Sequence, residues 1–330
     1  MSAITDFPRV TTPERRPIRV VNLRSAEDKL FRIIVKSAGW GALVLLVLIG
    51  FFLFFKGWPA LHVAGWKFFS NSGFRTIGTH PVFGVLASLY GTVVVAMVAL
   101  VVGVPIALTT SLFLSEYAPA WSRRTLIALV DLAAAIPSVI YGLWGFFELQ
   151  PNVVGICNWM SVHLSFIPIF KVVHPPVNAS LFIAGLLVGL MIVPIVASVS
   201  REVFTLAPAG EREAALALGA NRWQMIRTVI LPFARGGVIG AVMLGMGRAL
   251  EETIAVSIIL GGTFEVTPNI LQHGGSTISQ LIAVNFDSGG PLGQNDLLMC
   301  GFVLFTLTMV VNLVASAIVN RSRSGAGVDL

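Results

Sequence analysis

Arg248, Glu251 and Glu252 place one cation and two carboxylates inside an apolar stretch, residues 236–260. On a helix these acids stand at i+3 and i+4 from the arginine, so both are predicted to approach it. A charged side chain at bilayer depth costs about 2.5–3.5 kcal/mol, which favours a function for the group. A guanidinium stays protonated and presents a planar fork that matches an oxyanion. The predicted chemistry is transient binding of an anion in transit, which the carboxylates weaken enough for release.

The charged residues in the apolar stretches have a second possible role, which is structural. A buried ion pair would fix helix packing, and this role is compatible with anion binding. If all three groups are ionised, the site has a net negative charge that repels an anion. One of Glu251 and Glu252 is therefore predicted to be protonated or turned away from the path. Asp131 is interpreted as structural, paired with an arginine or held by local hydroxyls.

The composition indicates a polytopic membrane protein. Of 330 residues, 55% are hydrophobic and 12% are charged, with a mean hydropathy of +0.85. Soluble domains carry about 25% charged residues. The net charge of +6 is interpreted as an excess of Lys and Arg in the loops, which orients a membrane protein. The expected partner is therefore membrane lipid and not nucleic acid. Cys157 and Cys300 lack metal-ligand spacing, so no metal site is expected. The sequence also predicts no cofactor bound by this chain.

Six apolar runs are long enough to cross about 30 Å of hydrocarbon. The sequence thus predicts an all-α membrane protein with six transmembrane helices and a polar, basic tail at 1–36 that ends in an amphipathic helix. Residues 37–330 would form the transmembrane domain, including a loop at 201–235 and a short C-terminal tail. The predicted spans are residues 37–55, 84–114, 125–149, 179–200, 236–260 and 297–319.

The distribution of Lys and Arg predicts the orientation. One side of these spans carries 17 of them and the other side carries 4, while Arg248 lies within a span. Since cytoplasmic loops are enriched in Lys and Arg, both termini are predicted to be cytoplasmic. The loop at 201–235 lies on that side, whereas the loop at 261–296 is on the other. A short apolar stretch at 278–284 is expected to dip toward the membrane or to lie along its outer surface.

The cytoplasmic loop predicts a compact pair of short helices. Residues 211–218 are good helix formers with acids in the first turn, and Gly219 is suited to end that helix. A second helix is predicted from Asn221, with Pro232 stopping it. The spacing of this loop resembles the coupling-loop motif of ABC importer permeases, with a valine in place of the usual isoleucine. The matching residues are Glu213, Ala214, Ala215, Gly219, Val229, Leu231 and Pro232.

This resemblance implies a type I ABC importer permease fold and an ATPase on separate subunits. ATP would be bound by those partners, since the chain contains no Gly-x-x-x-x-Gly-Lys-Ser/Thr loop. Further segments are similar to the phosphate-specific (Pst) permeases, and the sequence that follows Arg248 favours the C-type subunit. The matching segments are residues 201–204, 135–142 and 247–256. Glu251 stands where that family has glycine.

The predicted function is therefore a permease subunit that imports inorganic phosphate across the bacterial cytoplasmic (inner) membrane and is not itself an enzyme. The implied partners are a second, A-type permease, two ATPase subunits and an extracytoplasmic phosphate-binding protein. The functional residues would be Arg248, Glu252 and Glu251. Two alternatives remain: a permease for sulfate or molybdate, and an ion-coupled secondary anion carrier.

Overall fold

The computed structural model describes residues 26–74, 82–173, 177–263, 266 and 268–323. Most of the predicted tail at 1–36 and the C-terminal residues 324–330 lie outside this part. The chain divides into two units, Met1–Ile49 and Gly50–Leu330. The regular secondary structure of the described residues is helical. Ser180 forms isolated β-bridges with His273 and Gly274, outside any strand. The all-α prediction is confirmed.

The helices are named here in chain order. They are α1 (Ala26–Ala64), α2 (Lys67–Ser70), α3 (Leu86–Leu112), α4 (Ala120–Ala134), α5 (Ser138–Trp144), α6 (Gln150–His163), α7 (Leu181–Thr205), α8 (Ala209–Ala217), α9 (Arg222–Met225), α10 (Leu231–Glu251), α11 (Ile254–Ile259), α12 (Ile278–Asn285) and α13 (Gly290–Arg323). Single π-helical turns follow α3, α5 and α9, and the last of these leads directly into α10.

Five stretches of the described residues are long and apolar enough to cross a membrane, and a sixth results if one bent pair counts as a single span. This agrees with six spans. The predicted span at 125–149 corresponds to this bent pair, in which α4 and the stretch Ser138–His163 meet at 92°. Pro137 has no N–H to donate and disfavours a helical conformation at Ile136. The hydroxyl of Tyr141 donates to the Ala133 carbonyl across the break, at 3.1 Å.

The first helix, α1, begins at Ala26 and runs without a break to Ala64. The end of the predicted tail, where an amphipathic helix was expected, therefore belongs to the same helix as the first span. From residue 28 to residue 49 its side chains are exposed and, beyond Lys36, mostly apolar. Such a surface suits a helix whose surroundings are lipid tails.

The core of the second unit lies where α3 and α10 pack on α7. Ile183, Leu187 and Ile192 of α7 are fully buried there. Ser180 caps α7, since its Oγ accepts a hydrogen bond from the Ile183 N–H at 3.4 Å. α7 thus forms a fixed surface against which the other helices are positioned.

The predicted outer loop at 261–296 contains α12, which returns into the helical core. Ile278, Ser279, Gln280 and Leu281 are all buried. The Ile278 N–H donates to Thr92 Oγ1 of α3 at 3.0 Å. The apolar stretch therefore turns inward instead of lying along the outer surface, and it brings polar side chains close to the ends of α10 and α11.

Candidate functional site

The helix that carries Arg248 ends three residues later. The prediction of one continuous helix over 236–260 is wrong, because α10 ends at Glu251 and the next residue has an extended backbone (ψ 122°). α11 then begins at Ile254. A break in a helix frees carbonyl groups, and in a membrane-spanning helix the surrounding protein supplies donors to them.

Polar side chains supply these donors on both sides of the break. Thr253 Oγ1 donates to the Glu251 carbonyl at 3.0 Å, and Ser257 Oγ donates to the Thr253 carbonyl at 2.7 Å. From α12, Ser279 Oγ donates to the Leu250 carbonyl at 3.4 Å, and Gln280 Nε2 donates to the Leu260 carbonyl at 3.1 Å. α12 thereby holds the last residues of α10 and α11 in place.

The three predicted charges line one open cavity of about 750 Å³. Arg248 is half-buried, and its Nε is buried with no hydrogen-bond partner among the described residues. The cavity is bounded by α5, α7, α10 and α13 together with the residue after α10. Its lining residues are Ser138, Ile195, Gly240, Met243, Leu244, Gly247, Arg248, Glu251, Glu252 and Asn312.

The two acids differ in their surroundings. Glu251 is exposed, whereas Glu252 is only 8% exposed and its Oε1 accepts a hydrogen bond from the Ala255 N–H at 3.3 Å. Within the described part of the chain, neither acid forms an ion pair with Arg248. Because the chain leaves the helix after Glu251, Glu252 does not occupy the helical i+4 position; Glu251 keeps the i+3 position but does not pair with Arg248. Glu252 is directed to the backbone of α11, which leaves the guanidinium available to an anion.

Two glycines before the arginine, Gly245 and Gly247, differ in what surrounds them. A Cβ added to Gly245 would lie 2.6 Å from Val196 Cγ2, so this position needs glycine for α10 to approach α7. A Cβ at Gly247 would have no atom within 4 Å, and this residue lines the cavity. One glycine therefore allows close packing, while the other leaves room beside Arg248.

Sequence reasoning missed two polar residues of the cavity, Ser138 and Asn312. Ser138 begins α5 directly after the break at Pro137. Asn312 lies in the last apolar helix, α13. The available signal was a polar side chain within an apolar run. By contrast, Asp131 lies outside this cavity, and its Oδ1 accepts a hydrogen bond from Ser198 Oγ of α7 at 2.9 Å. Asp131 is thus bound by a hydroxyl, but this hydroxyl lies on α7 and is not local to the helix of Asp131.

The predicted helix pair at 201–235 is present as α8 and α9. Gly219 has φ +86°, which suits the turn after α8. Asn221 and Gln224 form a reciprocal capping box at α9. Pro232 does not stop this helix; it lies in the first turn of α10, where its missing N–H costs no hydrogen bond.

The outward surface of this helix pair combines exposed apolar and acidic side chains. Leu216 is 46% exposed, Leu218 is 89% exposed and Trp223 is 56% exposed. Of the motif residues, Glu213, Ala214 and Gly219 are exposed, while Ala215 and Leu231 are half-buried. We refer to α8 and α9 with the turn between them as the docking knob.

Ion pairing and backbone contacts attach the docking knob to the long helices. Arg212 Nη1 donates to Glu116 Oε1 at 3.0 Å, and its Nη2 donates to the Phe204 carbonyl of α7. Arg222 Nη1 donates to the Glu116 carbonyl at 3.3 Å. Glu116 lies in the π-helical turn after α3. The knob is therefore joined to the ends of α3 and α7.

Comparison with known proteins identifies close relatives of the chain. A family model described as "Binding-protein-dependent transport system inner membrane component" matches residues 99–324. "Phosphate transport system permease protein PstC 2" of Mycobacterium tuberculosis is 38% identical over 323 residues, which cover 96% of this chain and 100% of that protein. The protein PstC of Mycobacterium leprae is 41% identical over 271 residues, 81% of this chain and 85% of that protein.

A solved structure supports the fold. The bacterial alginate ABC transporter, in complex with an alginate pentasaccharide-bound periplasmic protein, contains a chain that superposes with a TM-score of 0.58. The two chains are 14% identical, and the match covers 90% of this chain and 98% of the other. The arrangement of helices is thus that of a known transporter subunit.

Proposed function

Because the chain belongs to the binding-protein-dependent transport permeases and, within them, to the phosphate permeases of the PstC type, we propose that it is the translocation subunit of an ATP-driven phosphate importer. It is a multi-pass membrane protein and a transport subunit. Its substrate would be inorganic phosphate, moved inward by alternating access.

Arg248 carries this proposal. It lines the cavity of about 750 Å³, its Nε has no partner in the described residues, and neither nearby acid is paired with it. A guanidinium is planar, and its N–H groups can donate hydrogen bonds to two phosphate oxygens at once. Glu251, exposed at the rim, and Glu252, bonded to α11, would keep the site from holding the anion too tightly.

The docking knob is the proposed point of contact with the ATPase. Its exposed leucines and Trp223 suit a groove on a protein partner, and Glu213 adds an acid to that surface. Closure of two ATPase subunits, which bind the ATP, would move the knob and with it α3 and α7. We further propose an A-type permease as the second membrane subunit and an extracytoplasmic phosphate-binding protein as the donor of substrate. Both termini would be cytoplasmic in the bacterial inner membrane.

The test is uptake of radiolabelled phosphate by proteoliposomes that contain the full complex. Uptake should require the ATPase subunits and ATP, and excess arsenate should compete because it has the same shape and charge. Stronger competition by sulfate or molybdate than by unlabelled phosphate would contradict the phosphate assignment. Uptake driven by a proton gradient without ATP would contradict the ATP-driven mechanism and favour a secondary carrier.

A further inference from the structure

A second cavity continues from the one that contains Arg248. It has a volume of about 380 Å³. Gly240, Met243 and Asn312 line both cavities, so the two spaces are contiguous and meet at these residues. The remaining lining residues of the second cavity are Ala315, Ser316 and Val319.

The second cavity extends toward the docking-knob end of α10. Gly240 precedes Arg248 by eight residues, which is about 12 Å along a helix at about 1.5 Å per residue. α10 starts at Leu231, directly after the knob and its π-helical turn. On α13, the lining residues after Asn312 lie toward the end of the chain. An anion that leaves Arg248 in this direction passes Asn312 on its way to the side where the ATPase would bind.

Asn312 differs from several polar residues that this chain places on helices and satisfies locally. The side-chain amides of Asn152 and Asn285 donate to the carbonyl four residues earlier, at 2.7 and 3.0 Å. On α13 itself, the hydroxyl of Thr306 donates to the Phe302 carbonyl at 2.8 Å. Local bonds of this kind are the usual way for a helical polar side chain to be satisfied. Asn312 is exposed, and its amide has no hydrogen bond among the described residues.

The chemistry of an amide suits a release step. Its NH₂ group donates two hydrogen bonds to oxyanion oxygens but carries no charge, so it holds an anion less strongly than a guanidinium does. A binding residue in a transport path must attract the solute and also let it leave. An uncharged donor placed beyond Arg248 meets both demands. A Cβ at Gly240 would have no atom within 4 Å, so the opposite wall leaves room for the anion.

We propose that Asn312 is a phosphate-contacting residue that receives the anion from Arg248 and passes it along the Gly240 wall toward the cytoplasm. Ser316, four residues later on α13 and also exposed, lines the next part of the path. This inference rests on the proposed function, since it names a further residue of the same pathway.

Phosphate uptake by the reconstituted complex provides the first test. Asn312→Leu removes both donors at similar volume and should lower kcat/KM for uptake about tenfold, as expected for the loss of hydrogen bonds to a charged group. Asn312→Asp should lower it further because a carboxylate repels the anion. Asn312→Gln keeps the amide and should stay within about threefold of the unmodified complex. The matched control is Thr306→Val, which removes a polar group from the same helix outside both cavities and should leave uptake unchanged.

A second measurement separates contact with phosphate from a role in folding. In the full complex, Asn312→Cys should react with an anionic thiol reagent added from the cytoplasmic side, and phosphate supplied during ATP-driven transport should slow that reaction. The native Cys157 and Cys300 are buried, so the background labelling should be low. Leu313→Cys is exposed but lines neither cavity, and phosphate should not affect its labelling.

The inference is overturned if Asn312→Leu transports as well as Thr306→Val, or if the introduced cysteine is unreactive or insensitive to phosphate. If the leucine variant fails to assemble, the labelling result decides. Failure of the unmodified complex to take up phosphate would instead overturn the proposed function. Normal uptake together with indifference to every change at Asn312 would overturn this inference alone.

Discussion

Arg212 on the docking knob and Glu116 at the end of α3 form an ion pair of 3.0 Å, with the carboxylate side chain only 9% exposed. Arg212 also donates to the Phe204 carbonyl at the end of α7. One side chain therefore joins the knob to two helices that form the core of the second unit. A movement of the knob reaches those helices through short, charge-assisted bonds.

We predict that Arg212→Ala weakens this link and leaves Glu116 without its partner. Loss of one member of a partly buried pair costs about 1–3 kcal/mol, because the remaining group is poorly solvated. The purified complex should have a lower Tm and take up less phosphate per ATP hydrolysed. The control is Glu202→Ala, which breaks a 2.7 Å pair with Arg201 whose carboxylate is 64% exposed. Arg201 is 13% exposed, but the pair is open to solvent at Glu202, so it should contribute only about 0–1 kcal/mol. Equal effects of the two changes would contradict the assigned role of Arg212.

We predict that Arg248→Gln nearly abolishes uptake, whereas Arg248→Lys retains part of it. Lysine keeps the positive charge but loses the planar fork that binds two oxygens at once. A charged hydrogen bond contributes about 1.5–3 kcal/mol, so the lysine variant should lose about 10- to 150-fold in kcat/KM. The measurement is initial uptake against phosphate concentration, with the amount of assembled complex determined in parallel. Full activity of Arg248→Gln would show that the anion does not depend on this guanidinium.

The six spans could be predicted from sequence because a long apolar run is a local property, and the ends of most runs agree with the helices within several residues. The break after Glu251 could not be predicted from the local sequence. Beside it, the Leu250 carbonyl accepts from Ser279, 29 residues away, and the far end of α11 is held by Gln280, 20 residues from the Leu260 carbonyl. Asn312 was missed, since a single polar residue in an apolar run does not show that the packing of α10 leaves a cavity beside it.

The two acids of the site are predicted to respond differently to loss of charge. Glu251→Gly or Glu251→Gln should leave uptake normal or improved, because an exposed negative charge is removed from the rim of an anion site. Glu252→Gln should also retain most uptake, since its amide oxygen can still accept from the Ala255 N–H. Glu252→Ala removes this acceptor, and loss of a helix cap costs about 1 kcal/mol. Its uptake should fall more than that of Glu252→Gln.

These acid variants are compared in the reconstituted uptake assay at several phosphate concentrations. Equal loss in Glu252→Gln and Glu252→Ala would mean that the charge of Glu252, and not its hydrogen bond, is required. Complete loss in both variants of Glu251 would mean that this acid itself takes part in transport. The glutamine variants serve as the controls for volume.

The last prediction concerns the contact that fixes α11 against α5. A Cβ at Gly142 would lie 2.7 Å from Ile258 Cδ1 and 2.9 Å from the Ala255 Cα, and the latter is backbone that cannot rotate away. Gly142→Ala should therefore push α11 from α5 and disturb the Glu252 bond to Ala255. Overpacking of this kind costs about 1–3 kcal/mol.

The matched control is Gly155→Ala on α6, where an added Cβ has no atom within 4 Å. It should keep the Tm and the uptake of the unmodified complex, and it can raise stability because alanine favours helix. Gly142→Ala should lower both. If the two alanine variants behave alike, α11 is not held by its close approach to α5, and the position of Glu252 must depend instead on the bonds that Ser279 and Gln280 supply from α12.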